Sequence, residues 1–189
     1  MNIKEDLLTP SEWARPEKPL KAVKGLVIHW VANPMTDPYD NWAYWETRRG
    51  SYGSAHYIIG IQGTVLHCLP DDEMAYHCGA KIYTDKAVTK FGTYPNNSTI
   101  GIETCHKSWT GEYTPETLSA LRELCRDLCL KYDIAPENIV RHYDITEKEC
   151  PRFFVTYPGI FDWFKQIVAQ DLEAVSDCRC TEGPRTGHQ

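Results

Sequence analysis

TPETLSALRELCRDLCLKYDIAPENIVRHYD, residues 114 to 144, holds the change of period that decides the fold. Leu118, Leu121, Leu124, Cys125 and Leu128 recur at three- and four-residue steps, the spacing of a helix with a single apolar stripe. Thr114 offers a side-chain oxygen suited to the N-cap, and Pro115 fits the first helical position, where no backbone N–H is needed. The loop IAPEN then leads into IVRH, whose β-branched start reads as a strand. A long one-sided helix that returns through a short loop to a strand needs a sheet to cover.

Working outward, VKGLVIHWVA (23–32) is the first firm strand, with Leu26 and Ile28 on one face and Val27 and His29 on the other. NPMTDPYD reads as a loop, and NWAYWETRRG (41–50) as a short helix with Trp42 and Trp45 at helical spacing and a C-capping Gly50. SAHYIIG and TVLHCLP form a hairpin turning at Gln62-Gly63. Residues 71–99 have little periodicity and read as a long surface loop. IGIETC is another strand, in which Glu103 points away from Ile100 and Ile102. YPGIFDWFKQIVAQ (157–170) is a final helix with Ile160, Phe161, Phe164, Ile167 and Val168 to pack. The expected class is α/β, a single domain with a mixed central sheet flanked by helices.

Composition narrows the function. A formal charge of -6 with interspersed signs argues against nucleic acid as a partner. The N-terminus, MNIKEDLLTPSEWARPEKP, carries acids and prolines where an export signal would have a basic start and an apolar core, so no signal peptide is visible. Apolar runs such as GLVIHWVA are too short to span a bilayer, and no membrane insertion is expected. Eight cysteines without an export signal suit reduced thiols better than a disulfide framework. Cys125 and Cys129 read as small core residues; Cys178 and Cys180 are two metal donors on a tail too polar to hold them rigidly. The organisation expected is an extended lead-in over 1–22, a domain over 23–175 and a flexible tail or linker stub over 176–189.

The chemistry concentrates in RHYDITEKECPRFF (141–154). A hydrolytic zinc site takes three protein ligands from His and Cys and keeps one position for water. His142 and Cys150 supply two donors from one short excursion of the chain, and His29, in the other strongly apolar strand, is the candidate third. Taken alone, His29 reads as a packed core residue, the ordinary place for a histidine within an apolar run.

RHYDITEKECPRFF, IGIETCHK, GSAHYIIG followed by GTV, and KGLVIHWVANP together, in this order, resemble the zinc-dependent N-acetylmuramoyl-L-alanine amidases of the phage-lysozyme and peptidoglycan-recognition-protein superfamily, especially endolysin-type catalytic domains. The resemblance covers residues 20–170. It implies an amidase catalytic domain over 23–175, one catalytic zinc held by His29, His142 and Cys150, and peptidoglycan as substrate. It further implies that Glu103 is the acid/base group and Lys148, two residues before the last ligand, the oxyanion stabiliser. In the phage-lysozyme branch a tyrosine stands near the start of the hairpin; here Ala55 occupies that place, which moves the acid/base role onto Glu103. His77, in AYHCGA, matches a histidine that lines the substrate groove, with a structural hydrogen bond as the alternative. The setting implied is a phage or prophage lysin that collects in the bacterial cytoplasm before release and then acts on the cell wall.

Other readings stay open at this level. Glu103 also reads as a surface carboxylate paired with a cation, and Lys148 as a solvated lysine in the charged run TEKE. The domain as a whole also reads as a non-catalytic peptidoglycan-binding module, or as a cysteine hydrolase with Cys150 as nucleophile and His142 as base. His56 reads as packed or bonded to the backbone, and His67 and His106 carry no pattern.

Overall fold

The alternation in GLVIHW and TIGIET becomes the two faces of one sheet. The computed structural model describes residues 3–181, with side chains through residue 175. The chain runs β1 (Ile3–Glu5), β2 (Gly25–Trp30), α1 (Pro38–Glu46), β3 (Tyr57–Ile59), β4 (Val65–His67), α2 (Asp85–Phe91), β5 (Thr99–Thr104), α3 (Pro115–Tyr132), β6 (Ile139–Arg141), α4 (His142–Thr146), α5 (Arg152–Thr156) and α6 (Pro158–Thr181). The strands lie in the order β1-β4-β3-β5-β2-β6. The β3–β4 hairpin is antiparallel and the other neighbouring pairs are parallel, so the sheet is mixed, as the sequence implied.

One face carries Leu26, Ile28, Ile59, Ile100, Ile102 and Ile139 against the apolar stripes of α3 and α6. Each such side chain, fully withdrawn from water, contributes about 1.5–3 kcal/mol, so this layer carries much of the stability. Helix α3 begins where Thr114 Oγ1 accepts from the Thr117 N–H at 3.1 Å. It ends on Asp133, whose left-handed backbone (φ 54°) lets its N–H reach the Cys129 carbonyl.

The other face is divided. Ile58 and Leu66 pack with Leu8, Trp45 and Leu69 under α1 and the N-terminal segment, while Val27 and Val140 pack with Phe91 and Ile145 under α2 and α4. Between these two apolar clusters the middle strands β2 and β5 present His29, Gly101 and Glu103, so the polar residues sit in a gap walled on both sides.

Several elements differ from the sequence reading. The lead-in is more than a tether, because Ile3–Glu5 pairs in parallel with β4 and Leu8 is buried. Helix α1 starts at Pro38, three residues before the predicted start, because Asp37 and Asp40 form a reciprocal capping box. Its C-cap is Thr47, and Gly50 lies beyond it with φ 75°. Residues 71–99 are not wholly loop: Thr84 accepts from Ala87 N–H and starts α2, which buries Ala87 and Phe91. The final helix continues to Thr181, so the backbone of 176–181 is helical where a flexible tail was expected. The side chains of Cys178 and Cys180 lie outside the described residues, as does 182–189. Among the described residues no helix is long and apolar enough to cross a membrane.

Candidate metal centre

Strand register assembles the centre. Pairing of β2 with β5 sets His29 opposite Glu103, and pairing of β2 with β6 sets Ile28 opposite Arg141, so His142 follows beside His29. The strand stops there because the Arg141 N–H donates to Asp144 Oδ2 at 2.8 Å and the guanidinium holds the same carboxylate, turning the chain into α4. His142 is therefore the first residue of a helical turn, not the end of the strand. The excursion closes where the Tyr143 N–H donates to the Cys150 carbonyl at 2.8 Å, which returns the thiol to the imidazole it left eight residues earlier.

The three predicted ligands converge. His29 Nδ1 lies 3.1 Å from His142 Nδ1 and 3.7 Å from Cys150 Sγ, and all three residues are buried. Tetrahedral zinc, with N at about 2.0–2.1 Å and S at about 2.3 Å, separates its own ligands by about 3.3 Å for two nitrogens and about 3.6 Å for nitrogen and sulfur. The donor set and its spacing fit such an ion. Burial, followed by the neighbouring imidazoles and Lys148, lowers His29 well below the ordinary imidazole range, and burial with Lys148 lowers His142 to about 4. Both rings are neutral near pH 7, as ligands must be. Burial, then Glu103, pushes the Cys150 thiol up, so coordination there releases a proton.

Glu103 is half-buried, its Oε2 shielded from solvent and without a hydrogen-bond partner. Burial raises its carboxyl to about 7, against the opposing charge of Lys148. Among the described residues it forms no ion pair, so the surface-pair reading of this carboxylate has no support. Lys148 is exposed on the loop between α4 and Cys150, and its charge acts on His29, His142, Glu103 and Cys150 alike.

His77 is 7% exposed and lies behind His29, with Nδ1 3.1 Å from His29 Nε2. Its other nitrogen meets the Thr99 carbonyl at 3.2 Å, so in this structure the ring makes hydrogen bonds in the interior. His56 is bonded to backbone at both nitrogens, Nε2 to the Glu73 carbonyl and Nδ1 to the Gly101 N–H. Sequence reasoning passed over Cys78, whose sulfur is 3.1 Å from His77 Nδ1, because its segment has no readable period. It also passed over His106, which stacks on Trp30 at 4.6 Å while the Arg152 guanidinium covers the same indole at 4.9 Å. The adjacency of Trp30 to His29 and of Arg152 to Cys150 was the available signal.

The sequence pattern of the Amidase_2 family, N-acetylmuramoyl-L-alanine amidase, matches residues 19–153. A probable N-acetylmuramoyl-L-alanine amidase of Bacillus licheniformis is 34% identical over 161 residues, covering 84% of this chain and 44% of that protein. The N-acetylmuramoyl-L-alanine amidase CwlL of the same organism is 31% identical over 176 residues, covering 89% of this chain and 47% of that protein. The chain thus spans about half the length of these curated relatives. Among solved structures, PlyL superposes with a TM-score of 0.71 at 22% identity, over 89% of this chain and 97% of that one. The catalytic domain of XlyA gives 0.68 at 22%, over 89% and 99%, and at such identity both likenesses speak for the fold. With the family pattern spanning every strand from β2 to β6 and ending beyond Cys150, this chain belongs to the N-acetylmuramoyl-L-alanine amidase family.

Proposed function

We propose that the chain is the catalytic part of a zinc-dependent amidase that hydrolyses the amide between the lactyl group of N-acetylmuramic acid and the L-alanine of the stem peptide in peptidoglycan. The observation that carries the proposal is the convergence of His29 Nδ1, His142 Nδ1 and Cys150 Sγ in one buried cluster, with Glu103 opposite His29 on the next strand. A zinc ion held by these three would supply Lewis-acid polarisation of the scissile carbonyl and acidify the attacking water.

The remaining chemistry falls to the protein's own groups. Glu103, held at about 7, exchanges a proton near neutral pH: its carboxylate takes one from the attacking water and its acid form returns one to the departing alanine nitrogen. The ammonium of Lys148, whose charge already acts on Glu103 and on both imidazoles, stabilises the charge that develops on the carbonyl oxygen. C–N cleavage leaves a lactyl carboxylate and a free alanine amine. A setting in which the protein collects in the bacterial cytoplasm as a phage or prophage lysin, and meets the wall after release, belongs to the same proposal.

A thiol hydrolase would need Cys150 as a thiolate with a depressed pKa, whereas burial pushes it the other way. Metal analysis of the wild type beside Cys150→Ser, with new muramyl carboxylates and alanine amines measured on purified walls, tests the proposal. One zinc per wild-type chain, loss of zinc in the variant and chelator-sensitive release are expected. Release that survives a chelator and dies with an alkylating reagent would overturn it.

A further inference from the structure

His29 can act as a Nδ1 donor only if its proton resides on Nε2, and an imidazole alone does not fix that choice. The structure holds the groups that make it. His77 Nε2 lies 3.2 Å from the Thr99 carbonyl and 3.2 Å from Thr99 Oγ1. The carbonyl can only accept, and the Thr99 hydroxyl already donates its proton to the Pro95 carbonyl at 2.8 Å. Both partners of His77 Nε2 therefore require it to carry hydrogen. The ring is buried with no carboxylate against it, so it stays singly protonated and Nδ1 is left as a bare acceptor. That acceptor is 3.1 Å from His29 Nε2. His29 must then donate from Nε2, and its Nδ1 lone pair turns toward His142 and Cys150.

We propose that His77 is a positioning residue that sets the tautomer of His29, relaying the direction of the Thr99 carbonyl through two imidazoles to the metal-facing nitrogen. The proposal rests on the reading of His29 as a zinc ligand, but the tautomer itself exists with or without the ion. A second feature serves the same end. Gly101, between β2 and β3 in the sheet, has no side chain where the His77 ring lies; a Cβ there would come within 2.5 Å of His77 Cγ. The glycine is the seat of the relay ring. Cys78 Sγ also lies 3.1 Å from His77 Nδ1, and with His29 Nε2 these atoms form an alternative donor triad. A thiol is a weaker donor than an imidazole N–H, and the relay assigns this inner triad to hydrogen bonding, not to metal.

The test uses the full chain as His77→Phe, which keeps a ring and removes the acceptor; His77→Asn, whose amide oxygen replaces Nδ1; and Cys78→Ala. Long-range nitrogen–proton NMR correlations on the metal-free proteins report the His29 tautomer, and competition with a chromophoric chelator reports zinc affinity. Expected are a His29 proton on Nε2 in the wild type, His77→Asn and Cys78→Ala, and a mixed or reversed tautomer in His77→Phe with zinc binding weakened about 10- to 100-fold, the usual effect of removing an outer-shell partner. An unchanged His29 tautomer in folded His77→Phe would overturn the relay. So would loss of the ion in Cys78→Ala, or two zinc ions per wild-type chain, since either would make His77 a ligand. If the wild type binds no zinc, the functional reading fails while the tautomer still decides the role of His77.

Discussion

Replacing Glu103 by glutamine should make the metal-free protein relatively more stable in alkali while cutting its turnover by orders of magnitude. The carboxyl is held at about 7 instead of its ordinary 4.5, first by burial and against the pull of Lys148. The folded state therefore bears no penalty below 4.5, loses stability as pH rises toward 7, and bears the full penalty above it. That penalty is about 3 kcal/mol, from about 1.4 kcal/mol for each tenfold change in acidity. The glutamine amide brings its own burial cost, but that cost is the same at every pH. Urea unfolding of both proteins, stripped of metal, at about pH 5 and about pH 8 isolates the ionisation: the stability gap should move by about 2–3 kcal/mol in favour of the variant. With a slope of about 2 kcal/mol per molar urea, the midpoint difference should change by about 1 M. Turnover on purified walls should fall by about 10²- to 10⁴-fold with zinc content unchanged. A stability gap that does not depend on pH would refute the reading of Glu103 as a half-buried acid held near neutrality, and full activity would remove it from the chemistry.

Two other perturbations separate chemistry from scaffold. Lys148→Ala should keep its zinc and its fold while kcat drops by about 10²- to 10³-fold, as for loss of one preorganised oxyanion partner; equal losses of zinc and rate would make it a loop-holding residue. Asp71 accepts from the hydroxyls of Tyr57 and Tyr132 and from the Lys131 ammonium at 2.7, 2.8 and 2.9 Å. Burial alone would raise its carboxyl, but these bonds and His67 outweigh burial and hold it well below the carboxylate range. Its contribution is complete above the ordinary 3.8 and fades as pH falls toward the folded value. Asp71→Asn should cost about 3 kcal/mol near neutrality, seen as a Tm lowered by roughly 10 °C, and should flatten the acid limb of the stability curve.

What the sequence made legible follows from how far each signal reaches along the chain. The alternation of Leu26, Val27, Ile28 and His29 assigns faces within one strand, and the stripe of α3 names the face it must cover, so the layers could be read directly. The donors His29, His142 and Cys150 could be named by residue type, although their meeting depends on parallel register between strands more than a hundred residues apart. The inner group was not legible. His77 and Cys78 lie in an irregular stretch whose inward orientation comes from contacts such as the Cys78 N–H donating to Asn96 Oδ1 at 2.8 Å. Gly101 shares its strand face with Glu103, and only the ring lying on it explains the missing side chain. The edge strand IKE is exposed throughout and joins β4 through its backbone and the 3.1 Å contact of Glu5 Oε2 with His67 Nδ1, so it left no apolar trace. Helix α2 is too short for a period to emerge.

The placement of the centre follows from the sheet. His29 is the fifth of six residues in β2, Glu103 the fifth of six in β5, and His142 follows directly after β6. All three therefore stand at the carboxyl ends of neighbouring parallel strands, where chains leave the sheet and open a crevice for ligands. Two residues further back on the same face stand Val27 and Gly101, already covered by the cluster of Phe91 and Ile145 and by the His77 ring; two residues further out β2 and β5 have both ended. Side-chain period in a strand is two, so a one-residue slip of β2 would turn His29 onto the α3 face and Ile28 into the polar gap. The fully buried Leu26 and Ile28 oppose that slip, since it would place both in the wrong layer at a cost of several kcal/mol, about 1.5–3 for each side chain. The apolar layer thereby does more than stabilise: it holds the register that brings His29 beside His142 and opposite Glu103.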